Sequence, residues 1–443
     1  MFLVDPKKLA ATFFVCFLAM INSQSTLAAI GEQLASFPFV SGDLLAHPNL
    51  PFVFSTNSTK NTVEVINSSS LSITRTIPLS GHPGDMALNA DGSLLYVANF
   101  GNKSIDVIDV ASLTLTRSIP LTNAPHNVVA GPDNRLYTVT ENASGGNRRI
   151  EQFDATTGIP TGGSFSVNNG ELNISPDRKT LYFNDYFITP SSLYRFDIST
   201  PIIQVLQHIL PGEAGLRGVL SHDGTFIALP SAYPYNVPLY RTDDFALIRS
   251  LPGQAYLDAV AIRPDDAISY VAYSNRVLKI VNTATLEVYG SFSLPDGPFT
   301  MTTDATGRKL FVAIPSSTLK KTIVYNVGSV MPGDFNGDFK LTGADISMML
   351  SALTDIPAFQ ASLSLTNADM LAIGDLDHNG IFTNADIQPM LNLLATSAVP
   401  EPNQLTTLAL GLGMLIMHAG MRRIAKHFDA EQLARRVSEV GPV

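Results

Sequence analysis

Between residues 51 and 327 the chain is made of short apolar runs separated by polar turns, and the runs return at an even period. Each unit opens on a strand signal with an apolar-aromatic step: "PFVFSTN" at Pro51, "LLYVANF" at Leu94, "RLYTVTE" at Arg135, "TLYFNDY" at Thr180, "FIALPSA" at Phe226, "ISYVAYS" at Ile268 and "KLFVAIP" at Lys309. The second residue of the step is Phe52, Tyr96, Tyr137, Tyr182, Ile227, Tyr270 and Phe311, at spacings of 44, 41, 45, 45, 43 and 41. So even a series marks a repeat architecture.

The neighbours of each step repeat as well. A turn such as "NADG", "GPDN", "SPDR", "SHDG" or "RPDD" precedes most of them, and Asp before Gly or a polar residue supplies a hairpin turn. A second alternating run follows, as in "TVEVIN", "SIDVID" and "VLKIVN". A third, "TRTIPL" or "TRSIPL", carries a Pro that suits an outer edge strand, where no partner needs its N–H. Four short strands per unit, seven times, predict a seven-bladed β-propeller over residues 30–330. The last copy stops after its third strand near Val327, and "SFPFVSG" at residues 36–42 reads as an outer strand ahead of the first copy. Placed on the seventh blade, it would close the ring and protect the open edges.

"LYVANFGNKSIDVIDVASLTL", residues 95–115, resembles the YVTN-family propeller repeat of bacterial and archaeal surface proteins and lactonase-like propellers. The resemblance covers roughly residues 43–327 and implies a fold more than a function.

Beyond Val330 the pattern changes to two acidic loops, each leading into an apolar helix. The second places Asp375, Asp377 and Asn379 at positions 1, 3 and 5, Gly380 at 6, the Ile381 carbonyl at 7 and Asp386 at 12. Alternate oxygens on a tight loop wrap a hard cation, so Ca²⁺ is the expected ligand. The first offers Asp334, Asn336, Asp338, the Lys340 carbonyl and Asp345, with Phe339 where Gly is usual; a strained turn or a weaker site is expected there. Asp in place of Glu at position 12 makes the pair resemble a dockerin repeat. That resemblance implies a calcium-stapled helical module over 331–398 and a cohesin-like partner.

The ends carry addressing signals. Lys7 and Lys8, the apolar run at residues 9–21 and small residues Ala28 and Ala29 read as a secretory signal peptide over 1–29. "VPEP" at 399–402, an apolar stretch at 405–421 and Arg422–Arg423 resemble a PEP-CTERM sorting signal. The resemblance implies a C-terminal transmembrane helix, transient inner-membrane anchoring and an exosortase-type processing enzyme. The assignment is 399–427 for the signal and span and 428–443 for the tail.

Composition narrows the function classes. Charged residues are 15% against 45% hydrophobic, so a large core is expected. A net charge of −10 without a basic stripe excludes nucleic acid as a partner. The single cysteine, Cys16, lies in the signal segment, which leaves no disulfide or thiol ligand. Six residues before the turn Asp stand Asp85, Asn127, Glu171 and Arg217; His126 and Asp258 lie seven before, and His82 is nearby. Such a ring at the channel mouth could hold a metal or polar ligand. Two functions stay open: an exported envelope or extracellular protein whose propeller binds a protein or polysaccharide, or a metal-dependent, lactonase-like propeller hydrolase.

Overall fold

The computed structural model describes residues 30–397, apart from 142–147, 187, 213–214, 232–234, 252, 254, 316–318, 329–330, 338, 340, 364 and 366. The signal segment, the apolar stretch at 405–421 and the tail therefore lie outside the described residues. Among the described residues no helix is long and apolar enough to cross a membrane.

Among the described residues, seven four-stranded antiparallel sheets account for all 28 strands. Blade 1 is β2 (Leu44–Ala46), β3 (Phe52–Asn57), β4 (Thr62–Asn67) and β5 (Ser72–Pro78). Blade 2 is β6 (Pro83–Leu88), β7 (Leu94–Asn99), β8 (Ser104–Asp109) and β9 (Thr114–Pro120). Blade 3 is β10 (Val129–Ala130), β11 (Arg135–Thr140), β12 (Arg148–Asp154) and β13 (Phe165–Val167). Blade 4 is β14 (Gly170–Ile174), β15 (Thr180–Asp185), β16 (Ser191–Asp197) and β17 (Gln204–Gly212). Blade 5 is β18 (Val219–Leu220), β19 (Phe226–Ala228), β20 (Val237–Arg241) and β21 (Leu247–Leu251). Blade 6 is β22 (Leu257–Ile262), β23 (Ile268–Tyr273), β24 (Val277–Asn282) and β25 (Val288–Ser293).

Blade 7 is assembled from both ends: β26 (Thr300–Thr303), β27 (Lys309–Ile314), β28 (Lys321–Asn326) and, outermost, β1 (Gln33–Phe37). The expected clasp is real, but its ladder lies a little earlier than "SFPFVSG" suggests. Pro38 has no N–H to offer a ladder, while Phe37 and Phe39 instead bury their rings between blades 7 and 1.

The middle strands show why the apolar runs are nearly continuous. β3, β4, β7 and β8 are buried on both faces, because each blade is sandwiched between two others. The outer strands β5 and β9 are mostly exposed and end in Pro78 and Pro120, at an edge where the missing N–H costs nothing. A hydrophobic cluster fills each seam between blades, from Phe54, Val65 and Leu95 between blades 1 and 2 to Tyr270, Leu310 and Val312 between blades 6 and 7. The hairpin turns adopt the left-handed backbone their sequences call for, at Gly92, Arg178, Gly224, Asp266 and Gly307.

The remaining described residues form a small helical module with helices Gly343–Thr354, Ile356–Leu363, Asn367–Gly374 and Ile387–Ser397. Its core gathers around Phe335, whose ring lies 5.4 Å from Phe382 and 6.4 Å from Phe359.

Candidate functional site: the channel mouth and the paired acidic loops

The first halves of the seven inner strands enclose a central cavity of about 780 Å³. Asp85, His126, Glu171, Arg217 and Asp258 line it, as the spacing anticipated. Asn127 does not. It is buried and used between blades, its amide donating to the Gly170 carbonyl at 3.0 Å and accepting from Val139 N–H at 3.0 Å. His82 is also absent from the cavity wall. His47 is a turn residue, its Nδ1 accepting from the N–H of Asn49 and of Leu50, both at 3.0 Å.

The structure adds Asp43, Tyr256 and Phe299 to the wall. Asp43 lies one repeat before Asp85. It escaped the pattern because the first blade turns on His47-Pro48, with no Asp to count from.

The ring has a structural duty. Asp43 accepts from Met86 N–H at 3.1 Å and Asp85 from Val128 N–H at 3.0 Å, so each ties its blade to the next. The remaining charge is shared with Arg217, whose Nε is 3.5 Å from Glu171 Oε2 and whose Nη1 is 3.9 Å from Asp43 Oδ1. The guanidinium carbon stands 5.0 Å above the Phe299 ring.

Burial pushes the carboxyls of Asp43 and Glu171 up, against the pull of Arg217. Asp85 is pushed well above the carboxylate range by burial and by the charges of Asp43 and Glu171. Burial alone would lower Arg217, but Glu171, Asp43 and Asp85 together raise it. Asp258 is pushed up to about 6, first by burial and then by Asp296. His126 is held down by burial and by Arg148, although Glu141 lies 3.2 Å from its Nε2.

The two acidic loops match hydrogen bond for hydrogen bond. In the second, Gly380 N–H donates to Asp375 Oδ2 at 2.9 Å, Asp377 N–H to Asp386 Oδ1 at 3.1 Å and Thr383 N–H to Asp386 Oδ2 at 2.9 Å. In the first, Phe339 N–H donates to Asp334 Oδ2 at 3.0 Å, Asn336 N–H to Asp345 Oδ1 at 3.2 Å and Thr342 N–H to Asp345 Oδ2 at 2.8 Å. Both position-12 residues, Asp345 and Asp386, are fully buried at the head of a helix capped by Thr342 or Thr383. A short backbone bond joins the loops, from Gly333 N–H to the Ile373 carbonyl at 2.7 Å.

The second loop brings its carboxylates to one point. Carboxylate oxygens of Asp375, Asp377 and Asp386 all lie within 4.8 Å of one another. Oxygens around Ca²⁺ sit at about 2.3–2.6 Å, so a ligand shell is about that wide. Asn379 is exposed beside them, and the Ile381 side chain is 59% exposed, as suits a position that contributes only backbone. In the first loop Asp334 and Asp345 are buried together, while Asp338 and Lys340 lie outside the described residues.

Phe339 explains the departure at position 6. Its φ of 65° is the left-handed turn that Gly380 makes at 87°. Its ring stacks on Tyr289 of blade 6 at 5.6 Å and 24°. Arg263 donates Nη1 to the Gly337 carbonyl of the same loop. The first loop is therefore seated on the propeller rim, and the strain buys a docking contact.

No family model and no curated protein matches the chain. Among solved structures it is similar to hydrazine synthase of Kuenenia stuttgartiensis, with 15% identity, a TM-score of 0.53, and coverage of 69% of this chain and 98% of that one. It is also similar to the β-propeller domain of Cps50 (Swd1) from Myceliophteria thermophila, with 10% identity, a TM-score of 0.56, and coverage of 67% and 99%. At such identity the likeness is one of architecture, and the chain is a seven-bladed β-propeller carrying a small helical module.

Proposed function

We propose that this chain is an exported, envelope-associated or extracellular binding protein. Its propeller is a non-catalytic scaffold for a protein or polysaccharide, and its dockerin-like module is held together by Ca²⁺. The observation that carries the reading is the convergence of Asp375, Asp377 and Asp386 on one point of a loop with Gly380 at its turn. In a chain whose one cysteine is Cys16, a bound cation does the work of a crosslink. The channel mouth supports the scaffold half: Asp43 and Asp85 are committed to tying blades together.

Export, processing by an exosortase-type enzyme and a cohesin-like partner belong to the same reading, from residues 1–29, 399–427 and the loop pair. The test is a thermal-shift titration with Ca²⁺ before and after chelation. Ca²⁺ should raise the melt of the module, and Asp375→Ala with Asp377→Ala should remove the second loop's share of the rise. An unchanged melt in the wild-type protein sinks the calcium reading. A lactone or second metal that shifts the melt of that double variant replaces the scaffold with an enzyme.

A further inference from the structure

The channel mouth holds more hydrogen-bonding capacity than the fold uses. Arg217 makes no hydrogen bond among the described residues: its contacts with Glu171 and Asp43, at 3.5 and 3.9 Å, are charge contacts beyond good hydrogen-bond length. Its side chain is 32% exposed toward the cavity. A guanidinium has five N–H donors in a planar fork; here Nε and Nη1 face Glu171 and Asp43, and the fork keeps donors to spare for a ligand. On the same wall, Asp258 makes no side-chain hydrogen bond among the described residues; its Oδ2 is buried against Gly297, and its other oxygen is the one left to a ligand.

The rim between these groups is aromatic. Tyr256 and Phe299 line the cavity and are each 46% exposed, which leaves ring surface open to a ligand. At about 780 Å³ the cavity lies within the span of about 300–1,000 Å³ typical of small-ligand sites.

Charge selects among ligand classes. An anion would approach Asp43, Asp85, Glu171 and Asp258 together. A cation would meet Arg217, which already occupies the centre of the carboxylates, and Arg148 on the wall. A hydroxyl group suits both neighbours, because it donates to a carboxylate while accepting from a guanidinium. A ring of hydroxyls also presents C–H faces that pack on aromatic rings.

We propose that the channel mouth is a saccharide site, taking a neutral polyhydroxylated chain end between Arg217, Glu171 and Asp258 with its C–H face against Tyr256 and Phe299. The proposal rests on the scaffold reading and gives it a ligand class. The site's residues come from four consecutive blades, 4, 5, 6 and 7, so the radial packing of the blades brings them together.

The test is isothermal titration of the full chain with cellotetraose, maltotetraose, mannotetraose and chitotetraose, and with spermidine and citrate as charged probes. At least one neutral oligosaccharide should bind saturably. Asp258→Asn and Tyr256→Ala should each weaken it about tenfold, the loss of one good contact. Both variants should keep a cooperative melt, and Tyr256→Ala on the exposed rim guards against a folding defect at Asp258. Binding by none of the sugars, or binding untouched by both variants, overturns the proposal, as does binding of spermidine or citrate in place of the sugars. A protein that takes up Ca²⁺ through Asp375 and Asp377 but binds no sugar loses this site and keeps the scaffold.

Discussion

Asp258 carries a conflict between stability and use. Its carboxyl is pushed up to about 6 from a usual 3.8 by burial and by Asp296. A carboxyl raised in this way favours the folded state only while it holds its proton. As pH climbs from 3.8 the unfolded chain releases that proton first, so stability falls until about 6 and stays low above it. Asp258→Asn should therefore raise the melting temperature at pH 7.5 by a few degrees, with the gain gone below pH 4. A pH-independent gain would show that the charge is not the cause. Phe339 offers a second test at this scale. Phe339→Ala removes the stack on Tyr289 but keeps a left-handed non-glycine, whereas Phe339→Gly relieves the backbone. Gly should thus be the milder change by about 1 kcal/mol, read by denaturant unfolding of the module in the full chain. Equal losses would mean that the turn stores no strain.

The strand series was legible because its physics is local to a repeat. Strands such as β7 and β8 need apolar side chains on both faces, and "LLYVAN" and "SIDVID" declare it. The hydrogen bonding of the acidic loops is local too, since Asp375 and Asp386 accept from backbone N–H groups within the same twelve residues. What could not be read depends on neighbours far along the chain. Arg217 meets Glu171 across blades, and Phe339 finds Tyr289 only after the module docks. The clasp lies between these cases. The apolar "FPF" signal marks Phe37 and Phe39, which anchor the segment, and the hydrogen-bonded ladder lies just before it. Deleting residues 30–37 would leave β28 as a bare edge and uncover the seam filled by Phe37. The melting temperature should fall by on the order of 10 °C, checked by calorimetry of the shortened chain. A melt within a degree of the parent would show that blade 7 holds without its fourth strand.

At the scale of the whole ring the seams are unequal. Between blades 6 and 7 the cluster includes Tyr270, Leu278, Ile280, Leu310 and Val312. Between blades 4 and 5 the buried members of the cluster among the described residues are Tyr182, Leu193, Ile227, Leu229 and Phe245, and a cavity of about 230 Å³ opens there beside Asp185. The inner strand at that seam, β18, is two residues long. Hydrogen exchange in the native protein should be fastest in β18 and β19 and slowest in β23 and β27. Uniform protection around the ring would contradict a weak seam. The clasp also fixes how the molecule answers to force. Because β1 and β28 are antiparallel, Gln33 lies opposite Tyr325, and Phe37 opposite Thr322. The chain ends that leave this pair do so side by side, so a pull on both would unzip it one rung at a time instead of shearing every rung together. The helical module alters the load path, since Arg263 and Tyr289 grip its first loop on blade 6. Tension applied beyond Ser397 reaches that grip before it reaches β28, and a tethered molecule keeps its ring shut until the module lets go.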